Sequence, residues 1–183
     1  MATSVLTALS ASFGDTILES GSYVGDEMAI VPRERLLDVL GFLRDDEAMA
    51  FNMLTDLTVV DYLGQSPRFE VVYQLYSLSR KHRVRIKVQV EEVDEQCWVP
   101  SAAGLWKAAN WAEREAWDLY GMRFEGHPDL RRILMYEEFV GHPLRKDYPQ
   151  NARQPLLRRP DAPPTDDQTT RLLEGSHDRR TSG

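Results

Sequence analysis

Between residues 82 and 91 the chain alternates: Val84, Ile86, Val88 and Val90 occupy every second position, and Arg83, Arg85, Lys87 and Gln89 fill the gaps. A period of two places successive side chains on opposite faces of a strand, here one apolar and one charged, so this segment requires a sheet with one wet side. Two further strands precede it, near 52–62 and 68–78, joined by a turn at Gly64, Gln65, Ser66 and Pro67. Upstream, Val5, Leu6 and Leu9 predict a short helix over 3–12. Strand-like pieces follow at 15–21 and 27–31, with Gly21, Ser22, Gly25 and Asp26 supplying hairpin-turn chemistry. Pro32 stands where a helix can begin, since the first turn leaves its missing N–H without consequence. Leu36, Leu37, Leu40 and Leu43 form one stripe on an amphipathic helix over 33–44. The order helix, two strands, helix, three strands predicts an α+β fold of two layers, with both helices on one face of a mostly antiparallel sheet.

A further helix is expected over 102–120, with Leu105, Ala108, Ala112, Ala116 and Leu119 along its inner side. It carries Trp106, Trp111 and Trp117, three of the four tryptophans in the chain. That is more aromatic area than one stripe can cover, so these rings either fold back onto the segment that follows or meet a partner. From 151 onward Pro155, Pro160, Pro163 and Pro164 crowd together and apolar residues thin out, which predicts an extended or disordered tail. The expected domain organisation is an α+β domain over 1–120, a basic docking segment over 121–150 and a tail over 151–183.

Composition narrows the function. The 183 residues suffice for one domain that buries about 70% of its unfolded surface, and no apolar run reaches the ~20 residues a membrane-crossing helix needs. No cation precedes Arg33, which is unlike a secretory or organellar leader and leads us to expect an untargeted, cytosolic chain. The net charge of −7 lies wholly in the first hundred residues and argues against general nucleic-acid binding. Residues 121–160 instead hold eight cations against five acids, which suits contact with a few chosen acidic groups. A lone cysteine, Cys97, rules out an intrachain disulfide and any cluster or zinc ribbon needing several thiolates on this chain. Its neighbours Glu91, Glu92, Asp94 and Glu95 would raise its pKa, which leaves it a semi-buried filler rather than a nucleophile.

The unusual stretch is 113–149. It contains an echo: Gly126-His127-Pro128 before Leu130-Arg131-Arg132, and fifteen positions on, Gly141-His142-Pro143 before Leu144-Arg145-Lys146. In each copy glycine permits an uncommon backbone angle and proline forces the preceding histidine out of the helical region. Two rigid elbows are therefore expected, each aiming a pair of cations. Such a long loop-like segment suggests a functional loop or one docked on a partner. His127 and His142, with Asp129, Glu137, Glu138 or Asp147, are also ligand types for zinc or iron, which keeps open a stand-alone metal-dependent hydrolase. Earlier, Arg114 can pair with Asp118 one turn on, or Glu113 and Glu115 can anchor Arg131 or Arg132.

The run from Glu113-Arg114-Glu115 through Asp118-Leu119-Tyr120-Gly121, Phe124, HPDLRRIL and GHPLRKDYP closely resembles the C subunit of bacterial respiratory NADH:quinone oxidoreductase, the thirty-kilodalton subunit family of complex I. Two positions depart from the family pattern, Tyr136 in place of a common proline and Met122 in place of a β-branched residue. The resemblance covers about 1–150. It implies a structural, non-catalytic subunit of the peripheral arm on the cytoplasmic side of the inner membrane, attached to the membrane only through the complex. On this resemblance the chain holds no cofactor. FMN and the Fe–S clusters belong to partner subunits, and the docking partners are the D and B subunits, with the I subunit beside them. The residues implied to dock are Glu113, Arg114, Glu115, His127, Asp129, Arg131, Arg132, His142, Arg145, Lys146 and Asp147. The equivalent subunit of a related membrane-bound hydrogenase or ferredoxin-linked dehydrogenase is the other reading within the family.

Overall fold

A computed structural model of the chain describes residues 4–92, 97–151, 153 and 154. The element order is α1 (Val5–Phe13), β1 (Glu19–Tyr23), β2 (Asp26–Ile30), α2 (Leu36–Asp45), β3 (Met53–Asp61), β4 (Phe69–Ser77), β5 (His82–Val90), β6 (Trp98–Pro100), α3 (Lys107–Tyr120) and β7 (Arg123–Glu125). The α+β architecture is the expected one. Five strands form a sheet in the order β1-β2-β5-β4-β3, antiparallel except where β2 runs parallel to β5.

Alternation in β5 decides which face is covered. Val84, Ile86, Val88 and Val90 join Phe69, Val71, Tyr73 and Leu75 of β4 in the core, together with Leu36, Val39, Leu40 and Leu43 of α2 and Val5 and Leu9 of α1. On the opposite face the cations of β5 lie across from β4: Arg83 opposite Tyr76, Arg85 opposite Gln74 and Lys87 opposite Val72. Lys87 also bonds Glu70 at 2.9 Å. β3 does not keep strict alternation, because its register against β4 shifts between Leu54 and Asp56. That bulge turns both Leu54 and Leu57 inward although they stand three apart. Glu27 of β2 accepts the Val5 N–H at 3.1 Å, filling one of the donors that the start of α1 leaves open, and bonds His82 at 2.9 Å.

Three sequence expectations need correction. Residues 14–16 form a short 3-10 turn and β1 runs straight through Gly21 and Ser22, so the hairpin turns at Val24 and Gly25. The helix expected over 102–120 starts at Lys107. Its buried side is Ala109, Glu113, Ala116 and Asp118, whereas Ala108 is exposed. A two-stranded parallel sheet of β6 and β7, which no periodicity of three residues can announce, brackets α3 and returns the chain beside its start. Among the described residues no helix is long and apolar enough to cross a membrane. The expected tail, 151–183, lies outside the described residues except for 151, 153 and 154.

Candidate functional site: a braced loop

Helix α3 buries two carboxylates. Asp118 is fully buried, and its Oδ2 accepts three consecutive backbone N–H groups, from Ile133 (3.1 Å), Leu134 (2.8 Å) and Met135 (2.8 Å). Its Oδ1 accepts Arg132 Nη1–H at 2.6 Å. Burial alone would push the Asp118 pKa up. The N–H groups of Met135, Leu134 and Ile133 and the Arg132 guanidinium outweigh it and hold the carboxyl below its usual range. Arg132 Nη2 donates to the carbonyls of Phe139 (2.8 Å) and Gly141 (3.2 Å), and the guanidinium lies 5.8 Å from the Trp117 ring centre. Arg114 donates to the carbonyls of Arg131 (3.1 Å) and Arg132 (3.0 Å). The pairing of Arg114 with Asp118 is therefore not made. Nor do Glu113 or Glu115 anchor the loop arginines: Asp118 does so, Glu113 faces the turn at Ser101 and Ala102, and Glu115 is exposed.

Both elbows exist, and each histidine is a structural pin. His127 Nε2–H donates to the Asn110 carbonyl at 3.0 Å while Nδ1 accepts the Asp129 N–H at 3.0 Å. His142 Nδ1–H donates to the Asp118 carbonyl at 2.9 Å, and burial holds its pKa below the ordinary histidine value. Its ring lies over Gly121, which ends α3 in the left-handed conformation at φ +76° with its N–H on the Trp117 carbonyl at 2.8 Å. A Cβ at Gly121 would come within 2.7 Å of the His142 ring, so both the backbone angle and the close approach require glycine. Among the described residues no three His, Cys, Asp or Glu side chains converge as a metal site would need.

The repeated basic pairs divide inward and outward. In the first, Arg132 turns in and Arg131 stays exposed, bonding Asp129 at 3.0 Å. In the second, Arg145 turns in, donating to the Tyr120 carbonyl at 2.9 Å and to Glu92, while Lys146 is exposed and contributes its backbone N–H to Asp61 at 2.8 Å. Asp61, at the end of β3, has a fully buried side chain and takes both arms of Arg68 at 2.9 Å each. Arg68 also meets Glu92 (2.8 Å) and Asp147 (3.0 Å). Burial works against the Asp61 charge, but the Arg68 bonds and the Lys146 N–H outweigh it and leave the pKa lowered. The second elbow is thus bolted to the turn end of the β3–β4 hairpin. Asp61, Arg68 and Glu92 escape sequence reasoning because they join the elbow only through the fold. The one available signal is an acid and an arginine facing each other across the β3–β4 turn.

Cys97 is buried, with Sγ 3.6 Å from the Gly121 carbonyl, and burial more than its acidic neighbours raises its pKa. Of the helix tryptophans, Trp106 is buried, Trp117 packs under Arg132, and Trp111 is exposed. With Arg132 and Arg145 turned inward, the loop also presents apolar side chains: Leu134, Tyr136, Val140 and Leu144 are all exposed, Val140 by 69%.

Helix α2, strands β3–β7, helix α3 and the loop fall within one match. Residues 29–154 fit the family model described as "Respiratory-chain NADH dehydrogenase, 30 Kd subunit". The chain belongs to that family. A relative in Rhizobium etli (strain CIAT 652), the C 2 subunit of NADH-quinone oxidoreductase, is 53% identical over 137 residues, covering 75% of this chain and 72% of the relative. Among solved structures, a trypsin-resistant fragment of Nqo5 superposes with a TM-score of 0.59 at 34% identity, over 69% of this chain and 98% of the fragment. A chain of an archaeal respiratory membrane complex, the membrane-bound sulfane sulfur reductase, shares the fold alone, with a TM-score of 0.69 at 19% identity over 98% of this chain and 94% of that one. In this member of the 30 Kd family the eleven residues singled out for docking fall into two groups. Glu113, Arg114, His127, Arg132, His142 and Arg145 are at least partly buried and bonded within the chain, exposed Asp147 bonds Arg68, exposed Asp129 and Arg131 bond each other, and the side chains of Glu115 and Lys146 lie at the surface.

Proposed function

We propose that this chain is a structural subunit of the peripheral arm of a respiratory NADH:quinone oxidoreductase on the cytoplasmic side of the bacterial inner membrane. It holds no redox centre and performs no chemical step. FMN and the Fe–S clusters that carry electrons from NADH to quinone sit on neighbouring subunits, and this chain positions the D and B subunits, with the I subunit beside them. Membrane attachment comes through the complex. Family membership supports the assignment, and so does the shape of the loop.

The observation that carries the docking reading is that arginines spent on internal bonds rigidify a loop that exposes four large apolar side chains. A loop over 126–150 with so little regular structure would ordinarily be mobile, whereas a pre-shaped loop loses little entropy when it binds. Leu134, Tyr136, Val140 and Leu144 form the centre of the contact, and Arg131, Lys146, Asp129 and Glu115 its polar rim. Replacing Leu134 and Val140 together by Asp is expected to lower recovery of the D and B subunits with the tagged chain by about tenfold or more, the range of a lost hot spot. Thermal unfolding of the variant should match the wild type, since both side chains face solvent. Undiminished recovery from a chain of unchanged stability would refute the docking surface.

A further inference from the structure

Among the described residues Glu113 is a buried carboxylate without a Lys or Arg partner. Its side chain is completely buried, and its oxygens accept Ser101 Oγ–H and the Ala102 N–H, each at 2.6 Å. Two titratable groups face it. His127 Nε2 lies 3.9 Å away and gives its hydrogen to the Asn110 carbonyl instead. Tyr73 faces it from β4, its hydroxyl buried and without a hydrogen-bond partner. Among the described residues no Lys or Arg pairs with Glu113, in contrast to Asp61 and Asp118, which share arginines. An ionised carboxylate in such a place carries a large desolvation penalty.

The neutral acid fits the same heavy-atom positions. One oxygen still accepts the Ala102 N–H, and the other becomes an O–H that donates to Ser101 Oγ. That oxygen keeps a lone pair beyond the one taken by the Ala103 N–H at 3.1 Å. Ser101 in turn donates its backbone N–H to the Glu125 carbonyl at 2.8 Å, joining β6 to β7 one residue before the first elbow. We propose that Glu113 is a proton-operated latch: protonated, it clamps the 101–106 turn, α3 and the His127 elbow into one unit, and on losing its proton it loosens that unit. This holds whether or not the loop docks on a partner.

Burial, opposed by the Ser101 hydroxyl and the Ala102 N–H, pushes the Glu113 pKa up to about 7. The folded chain therefore binds this proton more tightly than the unfolded chain does. The resulting stabilisation is complete below the ordinary glutamate range near ~4.3 and is lost as pH rises through about 7. The test uses the full chain with 13C-labelled glutamate side chains. One Cδ resonance should titrate with a midpoint near neutrality and vanish in Glu113→Gln. The ratio of folding constants, wild type over Glu113→Gln, should fall by about tenfold per pH unit between about pH 5 and about pH 7. The near-neutral Cδ midpoint is read on the wild-type chain itself and so stands even if the Gln variant fails to fold. Glutamates that all titrate in the ordinary range, or a flat ratio, would overturn the proposal.

Discussion

Asp118→Ala is expected to lose about 3–5 kcal/mol of stability, the range found when one member of a buried charged pair is removed. The loss falls on the loop as much as on the helix. Four donors, the Arg132 guanidinium and the N–H groups of Ile133, Leu134 and Met135, lose their acceptor at once. Arg132 would then have no fixed position from which to hold the Phe139 and Gly141 carbonyls. Urea unfolding of the full chain measures the loss, and amide exchange at 133–135 should rise toward that of an open loop. Asp118→Asn is not a rescue, because its amide turns two hydrogens toward donors that need an acceptor. Because the folded-state pKa of Asp118 is lowered, its contribution is present above the ordinary aspartate range and is lost as pH falls through the folded value. A loss under about 1 kcal/mol, the worth of one ordinary hydrogen bond, would show that the carboxylate is not what shapes the loop.

Arg68→Ala is expected to have an effect of similar size at the second elbow, again about 3–5 kcal/mol. One guanidinium serves Asp61, Glu92 and Asp147, and Asp61 has no exposed surface through which water could replace it. Arg145 still reaches Glu92, so that acid keeps a partner, while Asp61 keeps only the Lys146 N–H. Arg68→Lys should recover little, since an ammonium cannot make the two parallel bonds to Asp61. Adding Asp61→Asn to Arg68→Ala should cost far less than the sum of the two single changes, because the stranded charge is gone. Denaturant unfolding of the four chains measures this coupling directly, and simple additivity would show that the pair is not a unit.

Sheet and elbows were legible to different degrees. The alternation of β5 and the leucine stripe of α2 announce their faces because each buries ordinary apolar side chains. Helix α3 hides its inner face from the same reasoning, since that face carries Glu113 and Asp118, and an apolar-periodicity reading turns acids outward. In β3 the bulge breaks the period of two, so Leu54 and Leu57 cannot both be placed inside from spacing alone. The Gly-His-Pro echo correctly marks two sharp turns at Gly126 and Gly141, both with positive φ. Repetition suggests paired cations pointing outward, but the folded chain sends one of each pair inward, because Asp118 and Glu92 wait there as acceptors. Arg68 meets Asp147, and Asp61 the Lys146 N–H, about eighty positions away in sequence, a distance at which a single chain gives no pairing signal.

The central claim is that internal charge pairs hold the loop in shape so that its apolar face can meet neighbouring subunits. Hydroxyl-radical footprinting of Leu134, Tyr136 and Leu144 tests this most directly, on the purified chain and on the same chain within the assembled enzyme. The account predicts that these side chains are labelled readily in the free chain and are protected several-fold in the assembly, while buried Met122 is unreactive in both. Equal labelling of the three residues in the two states would contradict it.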